Sequence, residues 1–354
     1  TEASARLEID RGTGMRAFEQ AGIPVPPHRA FSSLALAEKF ARGSDRGWVF
    51  KTMGDEEDKS LSYVADDPAE LVGWLQRQQK NGLRRKGPCT LQEKVEGVEV
   101  GVSGWMGPEG FLPKRWNVNF EHKRLMSGDH GPNTGEMGTV IAYEQESKLA
   151  DWVLRPVESL LVKLKHTGDV DVNCIVDTAK GKLWPLEWTA RSGWPFMHIV
   201  QATHRGDPIA WMKDMLGGEN SLEATSDVAV GVVVAIPPYP KELKPAEESE
   251  VIGLPVQGVE KVWKHVHPWQ MMVAKGPAMR DGRVVEADAY QTTGAYVMVV
   301  SGTGKTVRDA RANCYGAVKQ VRVPNAIVRD DIGAALEPKL RALHDRGLAL
   351  GVNF

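Results

Sequence analysis

Polar side chains alternate along two neighbouring segments in the middle of the chain, as they do on two paired β-strands. One face of the first segment carries Asp169, Asp171, Asn173 and Asp177. One face of the second carries Glu187 and Thr189, with Arg191 just beyond. Mg²⁺ prefers oxygen ligands and takes only one or two from protein when phosphates and water complete its octahedron, so Glu187 with Asn173 fits a magnesium site. A solvated sheet face gives the same alternation, and both interpretations stay open.

Two lysines upstream are candidates for holding a polyphosphate. Lys51 ends a short apolar strand, residues 47–52, and Lys59 lies in the loop that follows. Each would supply a compact positive charge to phosphate oxygens. The loop between them is acidic from Asp55 to Asp58, and surface lysines are common, so a solvated surface is the competing interpretation.

A glycine-rich segment between Lys123 and Gly138 is a candidate for holding a substrate. Glycine permits positive φ and a close approach of the backbone, so successive N–H groups in such a segment can wrap a small polar molecule. A surface Ω-loop has the same composition, and neither interpretation is preferred on sequence alone.

Two other segments resemble functional motifs but are expected to have structural roles only. Ser301 to Thr306 lacks the first glycine of a P-loop, because Val299 occupies that position, and it predicts a strand-to-helix turn with Thr306 as N-cap. His265 and His267 lack a third ligand at metal spacing, so packing or surface positions are expected for both.

The elements that must position these residues alternate between helix and strand, which favours an α/β or α+β architecture over a helix bundle. The pattern predicts helices over residues 5–21, 146–166 and 306–322, and strands over 169–177, 182–190, 228–236, 262–265 and 271–275.

The chain has 354 residues, enough at roughly 150 residues per domain for two or three packed units. Its 44 basic and 46 acidic residues nearly cancel, so no general attraction to nucleic acid or an anionic membrane is expected. The longest apolar run, Val228 to Ile236, is far shorter than the roughly 20 residues of a membrane-spanning helix. Three cysteines without metal or CxxC spacing predict a reducing, cytoplasmic setting.

The order of these features resembles the ATP-grasp ligases, most closely the glycinamide ribonucleotide synthetase (phosphoribosylamine-glycine ligase) family. The strongest match joins the run Glu121 to Arg124 with the run Gly131 to Gly138, which are similar to that family's DHKR and GPNTGGMG runs. Residues 187–195 resemble its E-x-N-x-R-x-G-D-P run, residues 92–99 its adenine-binding hinge, and residues 329–333 the end of its C-terminal domain.

The resemblance implies an α+β, ATP-grasp fold, with two α/β lobes around a nucleotide cleft and a small C-terminal α/β domain. It implies a linker helix and entry strand over 1–30, a small lobe over 31–95, a large lobe over 96–226 with the metal and substrate site, and the C-terminal domain over 227–354. The family's N-terminal mononucleotide-fold domain has no counterpart here, which implies a fragment or a naturally shortened relative.

The resemblance also assigns roles, with ATP and Mg²⁺ or Mn²⁺ as cofactors. Arg191 and Lys59 are the implied catalytic residues, Arg191 on the transferring phosphoryl group or the acyl phosphate intermediate, and Lys59 in a loop that closes over the phosphates. The implied nucleotide contacts are Lys51, Lys59, Glu93, Lys94, Val95 and Glu99. The implied metal ligands are Glu187, Asn173 and Thr189. The implied substrate contacts are Lys123, Gly131, Pro132, Asn133, Thr134, Gly135, Met137 and Arg191.

The chain departs from the family pattern mainly on the substrate side. Glu136 replaces a glycine, and Trp194 and Phe196 replace acidic residues. Thr189 stands where the family has a metal-binding asparagine, and the family's glycine-rich phosphate loop is the acidic stretch 54–58. The pattern therefore supports the use of ATP more strongly than it identifies the substrates.

Three functions stay open. The first is an ATP-dependent carboxylate–amine ligase that joins glycine to phosphoribosylamine through an acyl phosphate, in purine biosynthesis. The second is a ligase of the same mechanism with a different carboxylate or amine, and the third is a nucleotide-binding protein without turnover. Small-molecule substrates and a monomer or homodimer are expected.

Overall fold

The computed structural model describes residues 1–53, 62–80, 88–241, 244 and 248–354. The elements of this part of the chain, up to residue 144, are α1 (Glu2–Ile9), α2 (Arg11–Gln20), β1 (His28–Phe31), α3 (Leu34–Arg42), β2 (Trp48–Thr52), β3 (Tyr63–Val64), α4 (Pro68–Lys80), β4 (Cys89–Glu93), β5 (Val98–Gly107), β6 (Gly110–Glu121), β7 (Arg124–Met126), β8 (His130–Asn133) and β9 (Gly138–Glu144).

The elements after residue 144 are α5 (Lys148–Val153), α6 (Glu158–Lys163), β10 (Gly168–Asp177), β11 (Lys182–Thr189), α7 (Phe196–Gln201), β12 (His204–Arg205), α8 (Pro208–Leu216), β13 (Glu223–Ala224), β14 (Val228–Ala235), α9 (Glu248–Val251), β15 (Val266–Pro268), β16 (Met271–Arg280), β17 (Arg283–Thr292), β18 (Tyr296–Gly304), α10 (Val307–Val318) and α11 (Leu336–His344).

The chain divides into two compact units. Unit 1 consists of Thr1–Pro113, Ser147–Arg191 and Asp214–Glu219, and unit 2 of Lys114–Glu146, Ser192–Lys213 and Asn220–Phe354. The finer division into a linker, two lobes and a C-terminal domain stays a prediction.

One part of unit 1 is a four-stranded antiparallel sheet with the strand order β1-β4-β2-β3. Helices α3 and α4 pack against it, and the core between them contains Phe50, Leu71 and Leu91. Strand β2 places Lys51 opposite Thr90 of β4, with only 9% of the lysine exposed.

The second part of unit 1 is built on β10, which pairs antiparallel with β5 on one side and with β11 on the other. The strand pair predicted over 169–177 and 182–190 is therefore confirmed, to within one residue at its ends. A β-bulge interrupts β11 between Glu187 and Pro185, which the two-residue period did not predict.

Two of the predicted helices are each split. Residues 5–21 form α1 and α2, because Asp10 has extended backbone and its Oδ1 caps α2 by accepting from the N–H groups of Gly12 (3.0 Å) and Thr13 (3.2 Å). Residues 146–166 form α5 and α6, separated by the 3₁₀ turn Arg155–Val157 that contains Pro156.

Unit 2 contains an antiparallel sheet with the strand order β6-β9-β14-β18-β15, and α10 packs against β14 and β18. The buried strand predicted over 228–236 is confirmed as β14. Thr306 is the N-cap of α10, since its hydroxyl accepts from the N–H of Asp309 at 3.1 Å, so the predicted strand-to-helix turn is confirmed.

The strand predicted over 262–265 is wrong. The 3₁₀ turns Val259–Lys261 and Trp263–His265 occupy this stretch, and β15 begins only at Val266. The short strand predicted over 271–275 is the beginning of a longer ribbon, β16 and β17, whose strands pair over ten residues each.

We expect Gly14→Ala to destabilise unit 1 by about 2 kcal/mol, because a Cβ atom at this position would lie 2.4 Å from the carbonyl oxygen of Leu7 and 2.8 Å from Trp188 Cδ1. Gly73→Ala is the matched control, since Gly73 also lies in a helix but has open space around it, and alanine there stabilises by up to about 1 kcal/mol. Chemical denaturation measures both values, and equal effects would contradict the close packing of α2 on β11.

Candidate active site

The hairpin of β10 and β11 brings the predicted metal ligands together. Asn173 lies directly opposite Glu187, and Asp171 lies opposite Thr189. Directly opposed side chains share one face of a sheet, with Cβ atoms about 5 Å apart, so a carboxylate, an amide and a hydroxyl are close neighbours here. Asn173 is buried, whereas Glu187 and Thr189 are half-buried.

Asp169 is the most deeply buried acid on this face. Burial, reinforced by the negative charge of Asp171, raises the pKa of Asp169 well above its ordinary value. Asp171, opposite Thr189, is a further oxygen donor on this face. A protonated carboxyl group is a poor metal ligand, so Asp169 is a weaker candidate than the predicted ligands Asn173, Glu187 and Thr189.

These three side chains fit a magnesium or manganese ion. All three offer oxygen donors, which hard divalent cations prefer. Within the described ranges, no group of three His, Cys, Asp or Glu side chains is arranged to hold a metal ion.

Two residues near the hairpin end were missed in the sequence. Glu8 of α1 accepts from the Arg191 guanidinium at 2.8 Å and from the N–H of Ala190 at 3.0 Å. Arg11 of α2 lies close to Glu187: burial lowers the pKa of the Arg11 guanidinium, and the negative charge of Glu187 opposes that shift. Helical spacing identifies neither residue, because it does not tell which strand a helix packs against.

The predicted nucleotide residues that the structure describes all lie in unit 1. Glu93 ends β4 and forms an ion pair with Arg46, while Lys94 forms one with Asp66. Val95 is half-buried, and Glu99 is exposed on β5. Lys59 and the acidic loop 54–58 lie outside the described residues, so their predicted roles stay predictions.

The glycine-rich segment of unit 2 forms a short ribbon, with β7 paired to β8. Arg124 donates to the carbonyl of Gly131 at 3.0 Å, and Thr134 donates through both its N–H and its hydroxyl to the carbonyl of Lys123 at 2.8 Å. Lys123 itself forms an ion pair with Glu121 at 3.2 Å. Of the other predicted substrate contacts, Pro132 and Asn133 are exposed on β8, whereas Met137 is fully buried.

Residues near the C-terminus hold this ribbon. The fully buried Arg329 donates to Asp331 through two bonds of 2.7 Å, and to Asp129 at 2.8 Å. Asp331 in turn accepts from the N–H of Gly128 at 2.9 Å, and Asp330 from the Ser127 hydroxyl at 2.6 Å. Two segments about two hundred residues apart in sequence therefore form one ion-paired cluster.

Histidines in unit 2 have structural partners. His265 donates to the carbonyl of Ser301 at 2.9 Å, and His267 lies 2.8 Å from the Ser301 hydroxyl, so their predicted packing positions are confirmed. His122 accepts from the N–H of Gly333 at 3.2 Å, and burial lowers its pKa to about 4, which keeps its ring neutral at pH 7. All three cysteines are buried and free.

Comparison with known proteins identifies two family segments in order. Residues 15–167 match the family described as "Phosphoribosylglycinamide synthetase, ATP-grasp (A) domain", and residues 229–335 match its "C domain". In the part of the chain that the structure describes, every helix is too short or too polar to cross a bilayer.

The curated relatives that the chain resembles are named phosphoribosylamine–glycine ligase. The chain is 27% identical to the phosphoribosylamine–glycine ligase of Ralstonia nicotianae over 94% of its own length and 77% of that protein. It is 25% identical to the chloroplastic phosphoribosylamine–glycine ligase of Arabidopsis thaliana over 93% of its length, but only 61% of the relative. The crystal structure of phosphoribosylamine–glycine ligase from Thermotoga maritima has the same fold, with a TM-score of 0.67 at 22% identity, over 93% of this chain and 80% of that one.

The fold and the site define an ATP-grasp ligase, an ATP-dependent enzyme that forms carbon–nitrogen bonds. Within this class, the two domain matches and the curated relatives show that the chain belongs to the phosphoribosylglycinamide synthetase family.

The Arg329 cluster predicts acid sensitivity. Burial alone would raise the pKa of Asp331, but the hydrogen bonds from Arg329 and Gly128 outweigh it and lower that pKa from 3.8 to about 2. Because the pKa is lower in the folded state, the stabilisation is present above pH 4 and is lost as the pH falls towards 2. Asp331→Asn should therefore cost about 2 kcal/mol of unfolding free energy at pH 7 and almost nothing at pH 2.

Urea denaturation from pH 2 to 7 measures this difference. Asp288→Asn is the control, since Asp288 is exposed and its ion pair with Lys275 lies on the surface. A loss of stability for Asp331→Asn that does not change with pH would contradict the lowered pKa.

Proposed function

We propose that this chain joins glycine to phosphoribosylamine with ATP, and releases ADP and phosphate. The register that sets Glu187 opposite Asn173 carries the proposal, because these two side chains, with Arg191 four residues further along the chain, would supply a metal and phosphate site in a chain of this family. The relatives' names supply the substrates. We further infer a cytoplasmic enzyme of small-molecule substrates, monomeric or homodimeric, without a nucleic-acid or membrane partner.

The reaction needs an activated carboxylate. A carboxylate is a poor acyl donor, since its leaving group would be oxide. The γ-phosphoryl group of ATP first passes to a carboxylate oxygen of glycine, which forms an acyl phosphate and ADP. The amine nitrogen then attacks the carbonyl carbon, the carbon–oxygen bond to phosphate breaks, and the amine loses a proton. For the transfer of the phosphoryl group, the protein mainly has to position the reactants and supply positive charge to the phosphate oxygens.

The chain's residues can meet that demand. Glu187, Asn173 and Thr189 would hold Mg²⁺ or Mn²⁺, which when bound neutralises phosphate charge. Lys51, and Lys59 outside the described residues, would contact the phosphates, and Arg191 the transferring group. Glu93, Lys94, Val95 and Glu99 would line the adenosine. The ribbon that follows Lys123 would hold the substrates, because its exposed backbone carries glycines with positive φ at Gly128 and Gly131.

An assay of ADP formation tests the function. With ATP and Mg²⁺, we expect turnover that requires both glycine and phosphoribosylamine, and Glu187→Gln should lower kcat about a hundredfold or more, because it removes the charged metal ligand. Glu109→Gln, in an exposed turn of unit 1, is the control and should leave kcat unchanged. Nucleotide binding without turnover for any substrate pair would show that the chain is not a ligase.

A different substrate is the second candidate, and a specific contact favours it. Glu136 and Trp194, two of the departures from the family pattern, lie near the same pair of tyrosines in unit 2. The Tyr239 hydroxyl lies 3.5 Å from the carbonyl oxygen of Glu136, and the ring of Trp194 lies 5.4 Å from that of Tyr296. Burial, and then the charge of Glu136, raises the pKa of Tyr296 well above its ordinary value. The buried Glu136 carboxylate and the Trp194 indole therefore add bulk and negative charge to one cluster of side chains next to the substrate ribbon.

Reversion of both residues separates the two candidates. If the cluster selects a different substrate, the wild type should be slow with glycine and phosphoribosylamine, and Glu136→Gly combined with Trp194→Asp should raise kcat/KM for that pair by about tenfold or more. If glycine and phosphoribosylamine are the natural pair, the double variant should gain nothing. Trp269→Leu, a change to an apolar side chain whose ring lies 4.1 Å from that of Trp194, controls for loosened packing.

A further inference from the structure

The end of β11 is attached to the two N-terminal helices by hydrogen bonds and packing within unit 1. The Glu8 carboxylate accepts two hydrogen bonds. Its Oε2 accepts from the backbone N–H of Ala190 at 3.0 Å, and its Oε1 accepts from Nη2 of Arg191 at 2.8 Å. The Glu8 side chain thus fixes both the backbone at the end of β11 and the position of the Arg191 guanidinium.

Trp188 anchors the same strand end. Its ring is buried and stacks on Phe18 of α2, with centroids 4.4 Å apart and planes 7° from parallel. Its Nε1–H donates to the carbonyl of Gly14 at 3.0 Å, at the position where a side chain would not fit. The distance between α2 and β11 is therefore set by direct contact, and Glu8 is held within reach of Arg191.

Burial differs sharply between the two charged partners. The Glu8 side chain is 13% exposed and the Arg191 side chain is 58% exposed. An exposed arginine samples many rotamers, whereas a partner held on a packed helix restricts them. Glu8 also lines a small surface crevice together with Arg11 and Glu187.

We propose that Glu8 is a positioning residue of the ligase reaction, which orients Arg191 towards the transferring phosphoryl group. This inference rests on the proposed function. Phosphoryl transfer gains from charges that are already in place, because no reorganisation is then needed in the transition state. In this role Glu8 acts through Arg191, whose guanidinium it binds.

Glu8→Gln is the decisive variant, because glutamine keeps an oxygen for the Ala190 N–H and removes the charge that holds Arg191. In the full chain with ATP, Mg²⁺, glycine and phosphoribosylamine, we expect kcat to fall about 10- to 100-fold, the KM for ATP to change less than about twofold, and the melting temperature to stay at the wild-type value. Glu2→Gln, an exposed glutamate on the same helix, should leave all three unchanged.

A second readout is independent of turnover. ADP with aluminium fluoride and Mg²⁺ mimics the transferring phosphoryl group, and calorimetry measures its affinity. We expect Glu8→Gln to weaken this complex about tenfold while ADP alone binds as before. In an Arg191→Met background, Glu8→Gln should have no further effect, because the two residues act as a unit.

The outcomes separate the two proposals. A wild type without turnover, whose ADP–aluminium fluoride affinity still depends on Glu8, contradicts the glycine ligation and supports the positioning role. If Glu8→Gln keeps the wild-type kcat and the wild-type affinity for ADP–aluminium fluoride, the positioning role is overturned. It is also overturned if kcat and affinity both fall together with the melting temperature, because the residue is then structural. A wild type that binds no ADP–aluminium fluoride overturns the role of Arg191 on which the inference rests.

Discussion

The antiparallel register between β10 and β11 is the constraint on which the candidate site depends. A shift of one residue would turn Glu187 to the opposite face of the sheet and separate it from Asn173. Packing on the other face of the sheet stabilises this register, because Val170, Val172 and Trp188 are buried there. The apolar side of the hairpin therefore fixes the position of the polar side, which carries the candidate metal ligands.

The same hairpin end is also held from the side. Glu8 binds the backbone of Ala190 and the side chain of Arg191, and Trp188 packs on α2. Arg11 adds a half-buried cation next to Glu187. Of these groups, the Arg11 guanidinium is the positive charge that lies next to the Glu187 carboxylate, whereas Glu8 pairs with Arg191. In unit 2, Arg329 has a comparable function for the glycine-rich ribbon, where it links two segments that are distant in sequence.

Sequence reasoning predicted the hairpin, its polar face and the N-cap at Thr306, because strand period and capping depend on residues close together in the chain. It placed helices over 5–21 and 146–166 without their breaks at Asp10 and Pro156, since helical spacing continues across a short interruption. It predicted a strand over 262–265, where the chain instead forms two consecutive 3₁₀ turns. The alternation of polar and apolar residues along the predicted strand did not indicate the β-bulge next to Glu187.

The amino-acid sequence by itself determined the class of this protein: an ATP-grasp ligase of the phosphoribosylglycinamide synthetase family, with Glu187, Asn173 and Arg191 on adjoining strand segments. It did so because motifs and strand period are local properties of the chain. Only the tertiary structure decided that Glu8 holds Arg191 and that Arg329 joins Asp129 to Asp331. Those partners are 183 and 200 residues apart, and no local spacing encodes which distant charges packing will bring into contact.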